Sequence, residues 1–250
     1  MSAPMRNVRR ILVALDAGPD SLSRLEQAAM LAAEMRIELA GLFVEDDDLF
    51  RLCGLPVREI SLGSGAVRRP DRATMERELR IRQAEARRRL QDVAARRQVS
   101  WSFEVRRGRG RETLLGAAGD ADVVAMSRSV LTVRRRSTRI AAPPPVVALF
   151  EGGDGARHVL DLAARTARQQ GAPLLVLAAA GLMDEAKAAL TSAGIAAGLR
   201  TLGAGKTALP RGLQDVQPRL LVLDAAGKAV GRLDELLTAA DCDGLLIGGG

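Results

Sequence analysis

Three stretches of this chain carry residue types that do chemistry, and each lacks something that the chemistry needs. Gly203-Ala204-Gly205-Lys206-Thr207 has the close of a phosphate-binding P-loop, and Leu220 to Asp224 resembles the strand that offers an acid to Mg2+. A P-loop needs glycine at position 200, which is Arg200, and only one short helix separates the two elements. The stretch is therefore expected to be a strand-to-helix turn, matching the run Val105 to Arg109 earlier in the chain. The acidic run Glu45-Asp46-Asp47-Asp48 has oxygen ligands for a divalent cation, but such a run more commonly caps a short helix. His158 is the only histidine; with no Cys or second His beside it, neither a metal site nor a Ser-His-Asp triad is expected. No Gly-x-Ser-x-Gly elbow occurs. No catalytic residue and no metal ligand is assigned.

Composition narrows the field further. Of 250 residues, 47% are apolar but only 2% aromatic, so the core must be built from Ala, Val, Leu and Ile. That suits parallel strands covered by Ala-rich helices, and it disfavours surfaces that stack bases on aromatic rings. The formal charge of +7 raises nucleic acid as a partner. Nearly all of it is arginine, only Lys187, Lys206 and Lys228 being lysines, which reads as a compositional bias; nucleic acid is not the expected partner, the rival reading being a nucleic-acid-binding protein that uses the Arg-rich helix at 77–97. Cys53 and Cys242 have no C-x-x-C spacing and fit a reducing compartment as unpaired small hydrophobes. Residues 1–10 lack the apolar stretch of a signal peptide and no run approaches membrane-spanning length. A soluble, cytoplasmic protein with no membrane partner is expected.

The elements that must position any site follow from an internal repeat. Residues 10–45 recur at 145–180 without a gap: Arg10 to Asp20 lies over Pro145 to Gly155, and Leu25 to Ala29 lies over Leu160 to Ala164. Each copy reads strand, polar turn, amphipathic helix, strand. Such spacing implies two copies of a whole domain, residues 1–142 and 143–250, each large enough to bury a core. Strands are expected at 11–15, 37–44, 99–105 and 123–126, then at 146–150, 174–178, 195–202, 220–223 and 244–247. Helices fill the intervals, giving doubly wound parallel sheets. On the first helix Leu22, Leu25, Ala29 and Ala32 mark one face. Glu45 to Asp48 lead into a loop with several glycines that runs to about Pro70. In the long helix over 71–98, Met75, Leu79, Ala86, Leu90 and Val93 mark the buried side, and its arginines are expected to meet Glu76, Glu78 and Glu85 in water. After Met126 the first copy has no obvious fifth strand; either 130–133 serves or the first sheet lacks one.

Ile11 to Asp16, the Gly-Pro turn behind it, the Ala-rich helix, Leu42-Phe43-Val44-Glu45-Asp46 and Asp122 to Ser127 together resemble the universal stress protein family. The resemblance covers nearly the whole chain as a tandem pair and is better in the first copy. It implies two Rossmann-like (adenine nucleotide α-hydrolase-like) domains that form an intramolecular pseudo-dimer or a homodimer. It also implies a cytoplasmic, non-catalytic stress-response or regulatory role with unknown protein partners. Members that bind ATP carry an Asp after the first strand, matched by Asp16, and a G-x2-G-x9-G-[ST] loop after the fourth. Here that loop has Ser127, Val130, Ile140 and Ala141, and β-branched side chains block the close backbone approach that glycine permits. Arg134, Arg135 and Arg136 offer charge in place of the cradle. Glu151 replaces Asp16 in the second copy, and the stretch after Leu223 has the wrong glycine spacing. No cofactor is therefore expected. The alternative is ATP with Mg2+ in a nucleotide-sensing first domain, where Asp16 and Val44 would flank adenine or ribose and Ser127, Arg128 and Arg134 would approach phosphate.

Overall fold

The computed structural model describes residues 8–15, 21–47, 51, 59–60, 67–68, 72–108, 112–114, 116–117, 123–126, 143–203, 205 and 208–248. The first half runs β1 (Arg10–Ala14), α1 (Ser21–Met35), β2 (Glu38–Asp46), β3 (Glu59–Ile60), β4 (Val67–Arg68), α2 (Arg72–Arg97), β5 (Trp101–Gly108) and β6 (Val123–Met126). The second runs β7 (Val146–Phe150), α3 (Gly153–Gln169), β8 (Leu174–Ala179), α4 (Met183–Ala193) and β9 (Gly198–Leu202). It closes with α5 (Ala208–Val216), β10 (Leu220–Asp224), α6 (Leu233–Ala240) and β11 (Asp243–Ile247). The small strands β3 and β4 form an antiparallel ladder of their own, within the stretch expected to be loop.

The remaining nine strands make one sheet in the order β5-β2-β1-β6-β11-β10-β7-β8-β9. Each half is parallel within itself, as βαβ crossovers require. The halves meet at a single antiparallel pair, β6 with β11, where Val124 lies opposite Leu246 and Ala125 opposite Leu245. Both edges of β6 are taken, by β1 and β11, and the candidate fifth strand at 130–133 lies outside the described residues.

Alternation along each strand feeds two cores. Ile11, Val13, Val146, Ala148 and Val222 point to the face covered by α1, α2, α3 and α4. Leu12, Leu42, Val124, Leu221 and Leu246 point to the other, covered by α5, α6 and the helical residues around Ala117. Leu25 of α1 and Leu160 of α3 are each 1% exposed.

Two side-chain expectations fail. Leu22 is 45% exposed, because α1 turns its inner side toward Arg24, Leu25, Ala28, Leu31 and Ala32. Gln170, which caps the C-terminus of α3, donates to Gln27 on α1, so α1 packs across the junction with the second half as well as onto its own sheet. On α2 the buried side is as expected, Leu79, Ala86, Leu90 and Val93. Of the acids expected to meet its arginines, only Glu76 forms an ion pair among the described residues, and only with Arg72. Arg72 pairs with Glu76 at 3.0 Å and Arg96 reaches Glu26 on α1 at 3.4 Å. Arg77, Arg82, Arg87, Arg88 and Arg89 are exposed and make no ion pair with a described residue. Glu78 and Glu85 stand one turn before Arg82 and Arg89 on the same side of the helix, yet no ion pair forms between them.

Candidate functional site

In an open α/β sheet the crevice for a ligand lies outside the carboxyl ends of the strands, where strand order reverses. Here that happens twice, between β1 and β6 and between β7 and β10.

At the first crevice, β1 ends in Leu15, whose N–H donates to the Leu42 carbonyl at 2.8 Å. Val44 lies on the neighbouring β2, partly buried against the α5/α6-side core and opposite Arg106 of β5. Asp16, Ser127, Arg128 and Arg134 lie outside the described residues, so Val44 is the one predicted nucleotide contact that the structure locates. The acidic run leads from strand into helix, Asp47 and Arg51 both being helical, while Asp48 lies outside the described residues. Glu45 and Asp46 are the last residues of β2, and the Asp47 carboxylate is held by Arg107 at 2.7 Å.

At the second crevice the backbone is described throughout, and two carboxylates crowd it. Glu151 follows β7 directly and Asp224 is the last residue of the adjacent β10. Asp224 Oδ1 accepts from the Ala226 N–H at 2.9 Å, and its carboxylate lies over Gly155 in the first turn of α3. A Cβ at Gly155 would collide with Asp224 Oδ2 and come within 2.6 Å of its Cγ. Glu151 crosses to the loop after β10, where Oε1 accepts from the Ala229 N–H at 3.2 Å. Its Oε2 is out of solvent with no hydrogen-bond partner and presses on Gly227, where a Cβ would collide with it. Gly152, with φ +79°, carries the chain past Glu185, whose carboxylate would lie 3.5 Å from a Cβ there.

The electrostatics follow from this crowding. Burial pushes the Glu151 carboxyl above its ordinary value, and the Asp224 charge adds to the effect. The Ala229 and Lys228 N–H groups and the Lys228 ammonium oppose it in part. A helix N-terminus at a switch point ordinarily offers N–H groups and positive potential to a phosphate. At α3 the protein sets its own carboxylates there.

Sequence reasoning noted Glu151 only as a departure from Asp16 and missed Asp224 as its neighbour. The signal was present, since the two acids end the two strands that flank the switch point. Of the P-loop-like stretch the structure describes Gly203 and Gly205, between β9 and α5: Gly205 has φ +102° and its carbonyl accepts from the Ala208 N–H at 3.2 Å. It follows an edge strand, β9, with β7 and β8 between it and β10, so it shares no crevice with Asp224. His158 stands partly exposed on α3, Cys242 is buried and Cys53 lies outside the described residues. Among the described residues no three His, Cys, Asp or Glu side chains are grouped to hold a metal, and no helix is long and apolar enough to cross a membrane.

An α/β protein with switch-point crevices and paired halves is the class that fold and site define. Among solved structures the chain is similar to a universal stress protein from Archaeoglobus fulgidus, with a TM-score of 0.56 at 10% identity over 96% of each chain. It is also similar to a functionally unknown protein from Pseudomonas aeruginosa, at 14% identity over 96% of this chain and 92% of the other, with a TM-score of 0.49. The first likeness shows that this chain has the universal stress protein fold. No protein-family model matches the sequence, and no curated protein matches it.

Proposed function

We propose that this is a non-catalytic, cytoplasmic stress-response or regulatory protein of the universal stress protein type, built as an intramolecular pseudo-dimer of residues 1–142 and 143–250. Its second half does not take nucleotide. The observation that carries this reading is the pair of carboxylates, Glu151 and Asp224, lodged over Gly227 and Gly155 where a phosphate would have to sit. A triphosphate entering there would meet negative charge and occupied space instead of free N–H donors.

The β6–β11 seam supports the pseudo-dimer, because it joins the halves edge to edge with buried side chains on both faces. The fold likeness supports the family role.

Thermal denaturation with ATP, ADP and AMP, with and without Mg2+, tests the reading. Ligand at about a hundred times its dissociation constant stabilises by about 2.7 kcal/mol. For a chain of this size that is a rise of roughly 5–10 °C in Tm. No saturable rise is expected. A rise abolished by Asp16→Ala would overturn the nucleotide-free reading and make the first half a nucleotide sensor. A rise abolished by Gly227→Val, with Asp16→Ala inert, would show that the second crevice opens after all.

A further inference from the structure

Helix α2 has nine arginines and four acids in 26 residues, so it alone accounts for five of the chain's seven net positive charges. Their placement is more informative than their number. At 100° per residue, Arg77, Arg80, Arg87 and Arg88 fall within an arc of roughly 100° that contains no acid. The acid nearest that arc, Glu76, is engaged by Arg72. Glu78, Glu85 and Asp92 lie beyond its other border. Arg80 Nε donates to the Glu76 main-chain carbonyl at 3.3 Å, which leaves its charge un-neutralised. The buried residues Leu79, Ala86 and Leu90 lie on the opposite side, so the arc faces solvent over a length of about 16 Å.

Three occupants can be weighed. A second copy of the chain would bring five net positive charges against five, which repel. A protein partner needs apolar or aromatic anchors at the centre of its interface. This arc has Ala84 within it and Ile81, 52% exposed, at its border, and nothing larger. A phosphodiester backbone needs neither. It needs spaced cations, and the guanidinium fork binds phosphate oxygens two at a time. Single strands bind chiefly by stacking on aromatic side chains, and no aromatic among the described residues is exposed. A duplex presents phosphates without that demand.

We propose that the acid-free face of α2, with Arg77, Arg80, Arg87 and Arg88, is a sequence-independent docking surface for the phosphate backbone of a nucleic-acid duplex. The bias toward arginine explains how many there are, but not why these four stand together without acids between them.

The test is fluorescence anisotropy of the full chain with a labelled duplex DNA of mixed sequence and with the matching duplex RNA, as a function of salt. Four phosphate contacts predict a log–log salt slope of about −3.6, or roughly a 150-fold loss of affinity for a fourfold rise in salt. Changing Arg77, Arg80, Arg87 and Arg88 together to Gln should remove most of that slope with either duplex, while far-UV circular dichroism stays unchanged. A control that removes equal charge elsewhere, by changing Arg157, Arg168, Lys187 and Arg211 to Gln, should keep most of the slope. Equal loss in the two variants would overturn the proposal, since net charge and not this face would then be responsible. So would no binding at low salt, or competition by poly-glutamate as effective as by duplex at equal charge.

Discussion

Replacing Gly155 with Ala tests the occupied crevice at its tightest contact. Gly155 lies in the first turn of α3, where alanine alone is expected to stabilise by about 0.5–1 kcal/mol. Here the new Cβ would overlap Asp224 Oδ2 and stand 2.6 Å from its Cγ, too close for a small shift to relieve. The carboxylate must rotate away from α3. That sacrifices its 2.9 Å bond from the Ala226 N–H, a partly exposed charged bond of about 1.5 kcal/mol. It also loses its interaction with the helix N-terminus, about 0.3–1 kcal/mol. Against the gain in helix propensity the balance is a loss of roughly 1–2 kcal/mol. Urea unfolding followed by circular dichroism measures it. The same substitution in an Asp224→Ala background meets no carboxylate and should be neutral or stabilising, so the cycle should show a coupling of about 1.5–2.5 kcal/mol. Stabilisation by Gly155→Ala in the native background would refute the reasoning. Equal cost in both backgrounds would refute it too.

Glu151 makes a pH prediction. Its folded-state value is raised, so its contribution to stability is present below the ordinary carboxyl value and is lost as pH rises through the folded one. Glu151→Gln, which keeps an acceptor for the Ala229 N–H, should therefore gain stability relative to the native chain as pH rises from 4 toward 7; a pH-independent difference in unfolding free energy would contradict this. At the seam, Leu246→Ala should cost about 2–5 kcal/mol, since Leu246 is fully buried opposite Val124. Trp101, the only tryptophan, lies at the far edge of the first half, so its fluorescence midpoint should fall with that of circular dichroism. Midpoints that separate would show that the halves unfold independently.

How much was legible beforehand depends on the range of the interaction. The strands over 11–15, 123–126, 146–150 and 220–223 were readable because a strand buried on both faces has to be a continuous apolar run. The buried side of α2 was readable because Leu79, Ala86, Leu90 and Val93 obey helical spacing whatever covers them. Leu22 was misread because the rotation of α1 is set partly by α3, which is far away in sequence. The arginines of α2 were misread for a different reason. Their number was visible, but helical neighbours need not pair: Glu78 and Arg82, and Glu85 and Arg89, are four residues apart and unpaired, because water competes for both groups at an exposed surface.

The sequence by itself determined the alternation of strands and helices and where most of the strands lie, since periodicity and residue type are local properties. Only the tertiary structure decided that the halves join through β6 and β11 with no fifth strand between them, because edge pairing depends on which strand end is left uncovered. Only the tertiary structure, again, brought Glu151 and Asp224 into one crevice. They lie far apart along the chain and become neighbours because β7 and β10 pair.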